Sequence, residues 1–556
     1  MTDHESHSLP RWAWLALVII VCLGVQARAD HLDALPLFGD EFHSLDLVSR
    51  PFSEIAETFD QRGTHIALPM LQRLSQQALG PGVFALRLPT LLAGVLSLLL
   101  CFRVAKPLVG SMAALLSTAA LALSPMHLYY SRFGRGYMLA LLLGLLLVHA
   151  TRRATLLAMQ RVTRQATLAS PPPGSLKLRS WSSWLPVILL AALLPYVHLS
   201  ALTFVGTVAL ASMGLSWSAQ RRLADCAPAL IAFASGGLLT AFMYWPALAP
   251  LRTYLTQIDT LVSPGDVQAH ELATLLAGGR LAGYVWLGAI PLALLWMLRG
   301  RSHSVVWLVA AMAGPLLGLA ISAPYGMSYA YARYLFVGLP FAWMALAWLV
   351  TQLVGSRHLA AALGLSALAA LFVSGPASPL RTNDFPFANS YLALRELPAF
   401  DEAEPHTAEF YRMIADDDSI ERIIEAPLLM SRAVLLYRNG LLQHGKPTLA
   451  GTVADLGGPL SELPYVPILN RAKRKSSGAD LLVLHLSIDA ELARYWRYVY
   501  DEAWPHTATP GDAGFMLRNK TYTSQTFHRL HGLVPQLTKS LGEPLYRDAL
   551  IVAWRL

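Results

Sequence analysis

The sequence predicts a mainly α-helical polytopic membrane protein followed by a soluble domain of α/β or α+β type. Three observations carry that prediction. The chain is 54% hydrophobic and only 14% charged, with a mean hydropathy of +0.44, whereas soluble proteins carry roughly a quarter charged residues. Its apolar residues come in blocks rather than in alternation, as membrane helices require. Basic residues recur in the turns on one side of the resulting topology, as the positive-inside rule demands.

Allowing roughly twenty residues per crossing, the blocks give about eleven spans: 11–28, 84–105, 109–124, 136–150, 184–197, 199–216, 226–246, 281–299, 304–321, 333–354 and 358–374. The first block, from Trp12 to Val25, is long for the apolar core of a signal peptide and reads as an anchor; Ala27-Arg28-Ala29 is the one hint of a cleavage site. With the N-terminus in the cytoplasm, segment 151–183 is cytoplasmic and carries Arg152, Arg153, Arg161, Arg164, Lys177 and Arg179 without an acid. Other inner turns hold Arg103 with Lys106, Arg221 with Arg222, Arg299 with Arg301, and Arg357. The first outer segment is the reverse, with Asp30, Asp33, Asp40, Glu41, Asp46, Glu54, Glu57 and Asp60. An odd number of spans then leaves the C-terminal region outside the cytoplasm. The net charge of +8 follows from this topology, and no nucleic-acid partner is expected. Cys22, Cys101 and Cys226 read as small buried hydrophobes, without metal spacing or a disulfide framework.

Residues 1–375 are thus expected to form the membrane module, with 29–83 as its first outer loop. There Pro69 opens a helical pattern with Met70, Leu71, Leu74 and Ala78 on one face, ended by Gly80, and residues 53–61 suggest a shorter helix bearing Ile55, Ala56 and Phe59. Both read as helices along the membrane surface. Pro171-Pro172-Pro173-Gly174 marks a cytoplasmic linker over 165–180, and a second outer loop covers 247–280. Residues 376–556 are mixed and charged and form the soluble domain, with strands at 480–486 and 549–554 and a helical pattern over 488–500.

The candidate chemistry lies at the outer ends of the spans. Asp40 and Glu41 could serve as general base or cation ligand, or could be an ordinary solvated acidic pair. Arg132 and Arg135, spaced by three and set among tyrosines including Tyr137, suit a phosphate or pyrophosphate at the membrane surface; pairing with loop acids is the alternative. His198 lies in the tight turn between the fifth and sixth spans, where a packing or capping role competes with ligand binding. Arg333, followed by Tyr334, opens the tenth span, either as a functional ionisable residue or by snorkelling to the interface. His65 and Arg87 have similar standing. No nucleotide-type glycine loop, His-Glu-x-x-His or paired Cys-x-x-Cys is present.

Taken in order, Gly39-Asp40-Glu41, His65 to Gly80 leading into Phe84-Ala85-Leu86-Arg87-Leu88-Pro89, Tyr130-Ser131-Arg132 with Arg135 and Tyr137, Tyr196 with His198, and Arg333-Tyr334 ahead of Pro340 resemble the GT-C class of membrane glycosyltransferases. The branch is that of the dolichyl-phosphate-mannose protein mannosyltransferases and the bacterial aminoarabinose lipid A transferases, and the resemblance covers residues 10–345. It implies a GT-C fold and transfer of a sugar from a polyprenyl-phosphate donor to a lipid, glycan or protein acceptor. The reaction would occur on the outer face of a bacterial inner membrane, with the C-terminal domain in the periplasm. By the same resemblance Asp40 is the catalytic carboxylate and Glu41 its support. Arg132, Arg135 and Arg333 bind the donor phosphate, and His65, Tyr137, His198 and Tyr334 line the site. A divalent cation could join Asp40 and Glu41. Two departures stand out: His65-Ile66-Ala67 replaces the family's His-Pro-Pro, and no second metal-binding carboxylate is evident. The competing reading is a transporter or flippase with an envelope-binding outer domain. It predicts ionisable groups deep within the spans, whereas these candidates cluster at the outer lip.

Overall fold

Helices occupy every expected span position in the computed structural model, which describes residues 11–30, 32, 41–48, 50–59, 66–167, 181–261, 277, 280–300, 302–321, 333–353, 356–374, 408–426, 444–446, 448–449, 466–486, 532–548 and 551–556. Among the described residues eight helices are long and apolar enough to cross a membrane, or nine if a bent pair counts as one crossing, and two shorter apolar helices accompany them. The chain is a multi-pass membrane protein.

It divides into two compact units: Met1–Asp30, Pro51–Ser75 and Arg87–Ala388 in one, and His31–Arg50, Gln76–Leu86 and Asn389–Leu556 in the other. In chain order the helices through the membrane region are α1 (Arg11–Ala29), α2 (Glu41–Val48), α3 (Phe52–Glu57), α4 (Ala67–Leu79), α5 (Val83–Val109), α6 (Ser111–Leu123), α7 (Pro125–Arg132) and α8 (Tyr137–Thr167). They continue as α9 (Leu185–Val197), α10 (Leu202–Gln220), α11 (Ala227–Met243), α12 (Leu248–Leu261), α13 (Arg280–Arg299), α14 (Ser304–Ile321), α15 (Leu339–Gln352) and α16 (Arg357–Ser374).

Several boundaries differ from the sequence expectation, each for a physical reason. The segment after the third span, expected as a loop, is the helix α7, bent 57° from α6. Pro125 stands at its N1 position, where a missing N–H costs nothing. The proline also steers Ser124 out of the helical region, to φ −59°, ψ 125°. Helix α4 starts at Ala67, ahead of Pro69, and Gly80 follows it at φ +88°. It buries Leu68 and Gln72, while Leu71 and Leu74, expected on its apolar face, are exposed. Helix α8 runs 31 residues, about 46 Å at 1.5 Å per residue, so it outruns a hydrocarbon core of about 30 Å and takes in the first residues of the expected linker. Helix α12 fills part of the expected outer loop 247–280. Cys22 is exposed rather than buried, and all three cysteines are free.

Without a hydrophobic drive between helices in lipid, small residues and hydroxyls bring them close. A Cβ on Gly314 of α14 would fall 2.5 Å from the Phe204 Cα of α10, and beside it Thr207 Oγ1 donates to the Ala310 carbonyl at 2.8 Å. Large apolar side chains such as Leu210, Leu238 and Phe242 stay exposed on the outside of these helices.

The second unit holds a five-stranded sheet of β1 (Ile423–Ala426), β2 (Thr448–Leu449), β3 (Leu481–His485), β4 (Tyr546–Arg547) and β5 (Ile551–Arg555), in the order β2-β1-β3-β5-β4. β1 runs parallel to β2 and β3, and β5 antiparallel to β3 and β4. Strands β3 and β5 fall where the apolar runs predicted them, while the helical pattern over 488–500 lies outside the described residues. One face packs Ile423, Leu481, Val483, Ile551 and Ala553 against Phe410, Tyr411 and Ile414 of a preceding helix, Ala408–Ala415. Within this core Glu425 accepts from the Tyr411 hydroxyl at 2.8 Å and lies 2.8 Å from His485 Nε2.

Candidate functional site

Of the predicted site residues, Arg132, Arg135, Tyr137, His198, Arg333 and Tyr334 all belong to the membrane unit. Glu41 belongs to the other unit and is fully buried. Asp40 and His65 lie outside the described residues.

An aromatic cluster forms one part of the site. Arg333 Nη1 donates to the Tyr137 hydroxyl at 3.1 Å, and its guanidinium carbon lies 5.8 Å from that ring's centre. The Tyr137 ring is 5.1 Å from His198, which in turn meets Tyr334 edge-on at 6.3 Å. Tyr130 adds a contact to Tyr137 at 4.9 Å and another to Phe336 at 4.7 Å. The expected wall residues Tyr137, His198 and Tyr334 therefore do come together, although 196 positions separate Arg333 from Tyr137 in sequence.

His198, in the turn between α9 and α10, carries the electrostatic signature of the place. Burial first, and then the charges of Arg135 and Arg333, push its pKa down to about 3. It is therefore neutral at ordinary pH, and Ser200 Oγ lies 2.6 Å from its Nδ1.

The other part is a set of buried arginines. Arg28, Arg87, Arg132 and Arg135 are each no more than 2% exposed, a burial that arginine tolerates only with compensating partners. Arg132 Nη1 donates to the Ala27 carbonyl at the end of α1 at 3.0 Å, where helix-terminal carbonyls lack intrahelical donors and favour a cation. Arg87 and Asp30 both act electrostatically on Arg132. Gln72 of α4 donates to the Gly134 carbonyl at 3.1 Å and so ties down the turn that carries Arg135.

Arg28 was not singled out by its sequence context, and its partners explain why it is tolerated. Its guanidinium donates to the carbonyls of Gly24 at 2.8 Å and Ala122 at 3.0 Å, to Ser131 Oγ at 3.2 Å and to His127 Nδ1 at 2.7 Å. The α6–α7 break supplies one of these acceptors, because a helix that stops at Leu123 leaves its last carbonyls open. Arginine has no acceptor atom, so Nδ1 of His127 must be the unprotonated nitrogen. Nε2 then donates to Ser97 Oγ at 2.8 Å, whose hydroxyl reaches the Gly94 carbonyl at 2.7 Å. A Cβ on Gly94 would meet Ser131 Oγ at 2.3 Å, so only glycine lets α5 approach α7 here.

Between Asp60 and Asp225 the sequence contains no acidic residue. Arg87, Arg132 and Arg135 lie in that stretch, so a carboxylate that acts on them, as Asp30 does on Arg132, comes from elsewhere in the chain. A set of this kind can hold an anion in a medium of low dielectric, where each charge counts for more than in water. Among the described residues no group of three or more His, Cys, Asp or Glu side chains gathers to hold a metal.

No family model matches the chain, and no curated protein matches it in sequence. Solved structures do match. ArnT from Cupriavidus metallidurans, in the apo state and bound to undecaprenyl phosphate, gives TM-scores of 0.54 and 0.52 at 13% identity, over 98% and 99% of this chain and 97% and 98% of that one. An oligosaccharyltransferase from Archaeoglobus fulgidus, tethered to an acceptor peptide containing the NVT sequon, gives 0.52 at 10% identity, over 89% of this chain and 72% of that one. The same archaeal protein in complex with zinc and sulfate gives 0.50 at 12% identity, over 87% and 70%. At these identities the likeness establishes architecture. This chain has the GT-C fold, shared with both proteins.

Proposed function

We propose that the chain is a membrane glycosyltransferase that moves a sugar from a polyprenyl-phosphate donor to a lipid, glycan or protein acceptor outside the cytoplasm. The observation that carries this reading is the buried arginine set in a long acid-free stretch of sequence. Clustered guanidiniums suit the oxygens of a phosphate, and a lipid-linked phosphate supplies them at the membrane. The shared fold with ArnT, an aminoarabinose transferase seen with undecaprenyl phosphate, supports the choice. In this reading the membrane is a bacterial inner membrane, the N-terminus is cytoplasmic and the sheet domain periplasmic.

The residues divide the work as follows. Arg132, Arg135 and Arg333 hold the donor phosphate, and Tyr137, His198, Tyr334 and His65 shape the sugar pocket. Asp40 takes the proton from the acceptor hydroxyl or amine as that group attacks the anomeric carbon. The carbon–oxygen bond to the phosphate breaks, the configuration inverts, and polyprenyl phosphate leaves as an anion met by the arginines. Glu41 supports Asp40. A divalent cation, were one to join the site, would be held by Asp40 and Glu41 and would act there as a Lewis acid on the acceptor oxygen.

Transfer from a polyprenyl-phosphate sugar by the purified full chain tests the proposal. The Asp40→Asn variant is expected to lose about a hundredfold or more in rate, the scale of a general base. Full transfer by that variant would overturn the assigned role. Mass spectrometry of lipid-linked sugars in cells lacking the protein would identify the donor by its accumulation.

A further inference from the structure

A second basic site lies on the same bundle, well away from the arginine set. His149, Arg152, Arg153, Leu156, Leu157 and Gln160 of α8, together with Arg103 of α5, line a recess of about 380 Å³. The α8 residues recur at intervals of three and four and therefore form one face of the helix. Arg152 is about 22 Å along the helix axis from Tyr137, at 1.5 Å per residue. Among the described residues no acid lines the recess, and both helices belong to the stretch without acidic residues.

The positive-inside rule explains basic residues beyond the end of a span. It does not explain why basic side chains of two helices line one concavity, with His149 set back inside the span and two leucines beside them. Among the described residues Arg152 Nη2 reaches the Pro107 carbonyl, at 3.4 Å. The side chains of Arg103 and Arg153 are exposed. The position at the ends of two spanning helices, at the depth of lipid headgroups, favours an anion carried by the bilayer over a soluble one.

We propose that this recess binds the phosphate headgroup of an anionic phospholipid, with Arg103, Arg152 and Arg153 on the phosphate. The site is separate from the donor phosphate site and does not depend on any transfer reaction.

Native mass spectrometry of the full chain tests this, after exchange into phosphatidylglycerol or phosphatidylcholine. In phosphatidylglycerol the wild type should keep one more lipid than an Arg103→Gln/Arg152→Gln double variant, and in phosphatidylcholine the two should not differ. The exposed Arg153→Gln variant should fold normally and weaken phosphatidylglycerol retention about fivefold, the scale of one lost charge at a lipid surface. Equal Tm values in phosphatidylcholine nanodiscs separate this effect from misfolding. Unchanged retention in both variants would overturn the proposal. Displacement of the bound lipid by inorganic phosphate at matching concentration would also overturn it, by making the occupant a soluble phosphate.

Discussion

Arg333 and Tyr137 are joined by a hydrogen bond of 3.1 Å from guanidinium to phenol, and this contact ties the tenth span to the head of the fourth. A tyrosine that accepts this bond fixes the orientation of one edge of the guanidinium's planar fork of donors.

That arrangement predicts unequal effects of the two substitutions. Tyr137→Phe should weaken polyprenyl-phosphate binding about fivefold, consistent with roughly 1 kcal/mol for one hydrogen bond. Arg333→Gln should cost about tenfold or more, because a charge-assisted contact is lost as well. A double-mutant cycle read by lipid-phosphate Kd should show coupling between the two; strict additivity would mean that the pair does not act together.

Arg28 gives a stability prediction. Arg28→Met removes the donors to Ala122, His127 and Ser131, leaving buried acceptors unmet at about 1–3 kcal/mol each. Arg28→Lys should recover only part of the loss, since one ammonium cannot span acceptors on α6 and α7 together. Tm in detergent is the readout, and Arg28→Met matching the wild type would contradict the network.

His198 predicts a pH dependence. Its pKa in the folded protein, about 3, lies below the ordinary value of 6.5. The unfolded chain therefore takes up this proton first as pH falls, so its contribution to stability is complete above 6.5 and declines towards pH 3. Removing a neighbouring charge by Arg333→Gln should raise the His198 pKa, and so should binding of an anionic lipid phosphate. Histidine-labelled NMR would register both shifts, and an unmoved resonance would dissociate His198 from the arginines.

Gly314→Ala should destabilise the α10–α14 contact by about 1–3 kcal/mol, the usual cost of overpacking, because the added carbon meets backbone of Phe204 rather than a movable side chain. Thermal unfolding reads the effect, and Gly288→Ala, whose Cβ would meet nothing within 4 Å, is the control.

The spans were legible because lipid imposes one rule: a run of about twenty apolar residues must close its own backbone bonds. The grouping of Tyr137, His198 and Tyr334 was expected from the family resemblance alone, since topology puts all three near outer span ends without saying which spans are neighbours. Helix α7 was hidden because its polar and aromatic sequence resembles a loop, and Pro125 signals a boundary without saying that a helix follows. Strand β1 was hidden by its brevity and by Glu425, whose burial depends on Tyr411 and His485. Arg28 was illegible because an arginine ending an apolar run ordinarily snorkels to water. Its actual partner His127 lies 99 positions away.

The proline that breaks α6 from α7 and the arginine at the end of α1 constitute one device. A straight helix over 111–132 with an apolar side chain at position 28 would satisfy the same backbone with no ion to solvate. The kink instead opens carbonyls towards Arg28, and Arg28 closes them again. The result is a guanidinium held inside the bundle by main-chain carbonyls, acceptors that cannot titrate, rather than by a carboxylate among the described residues.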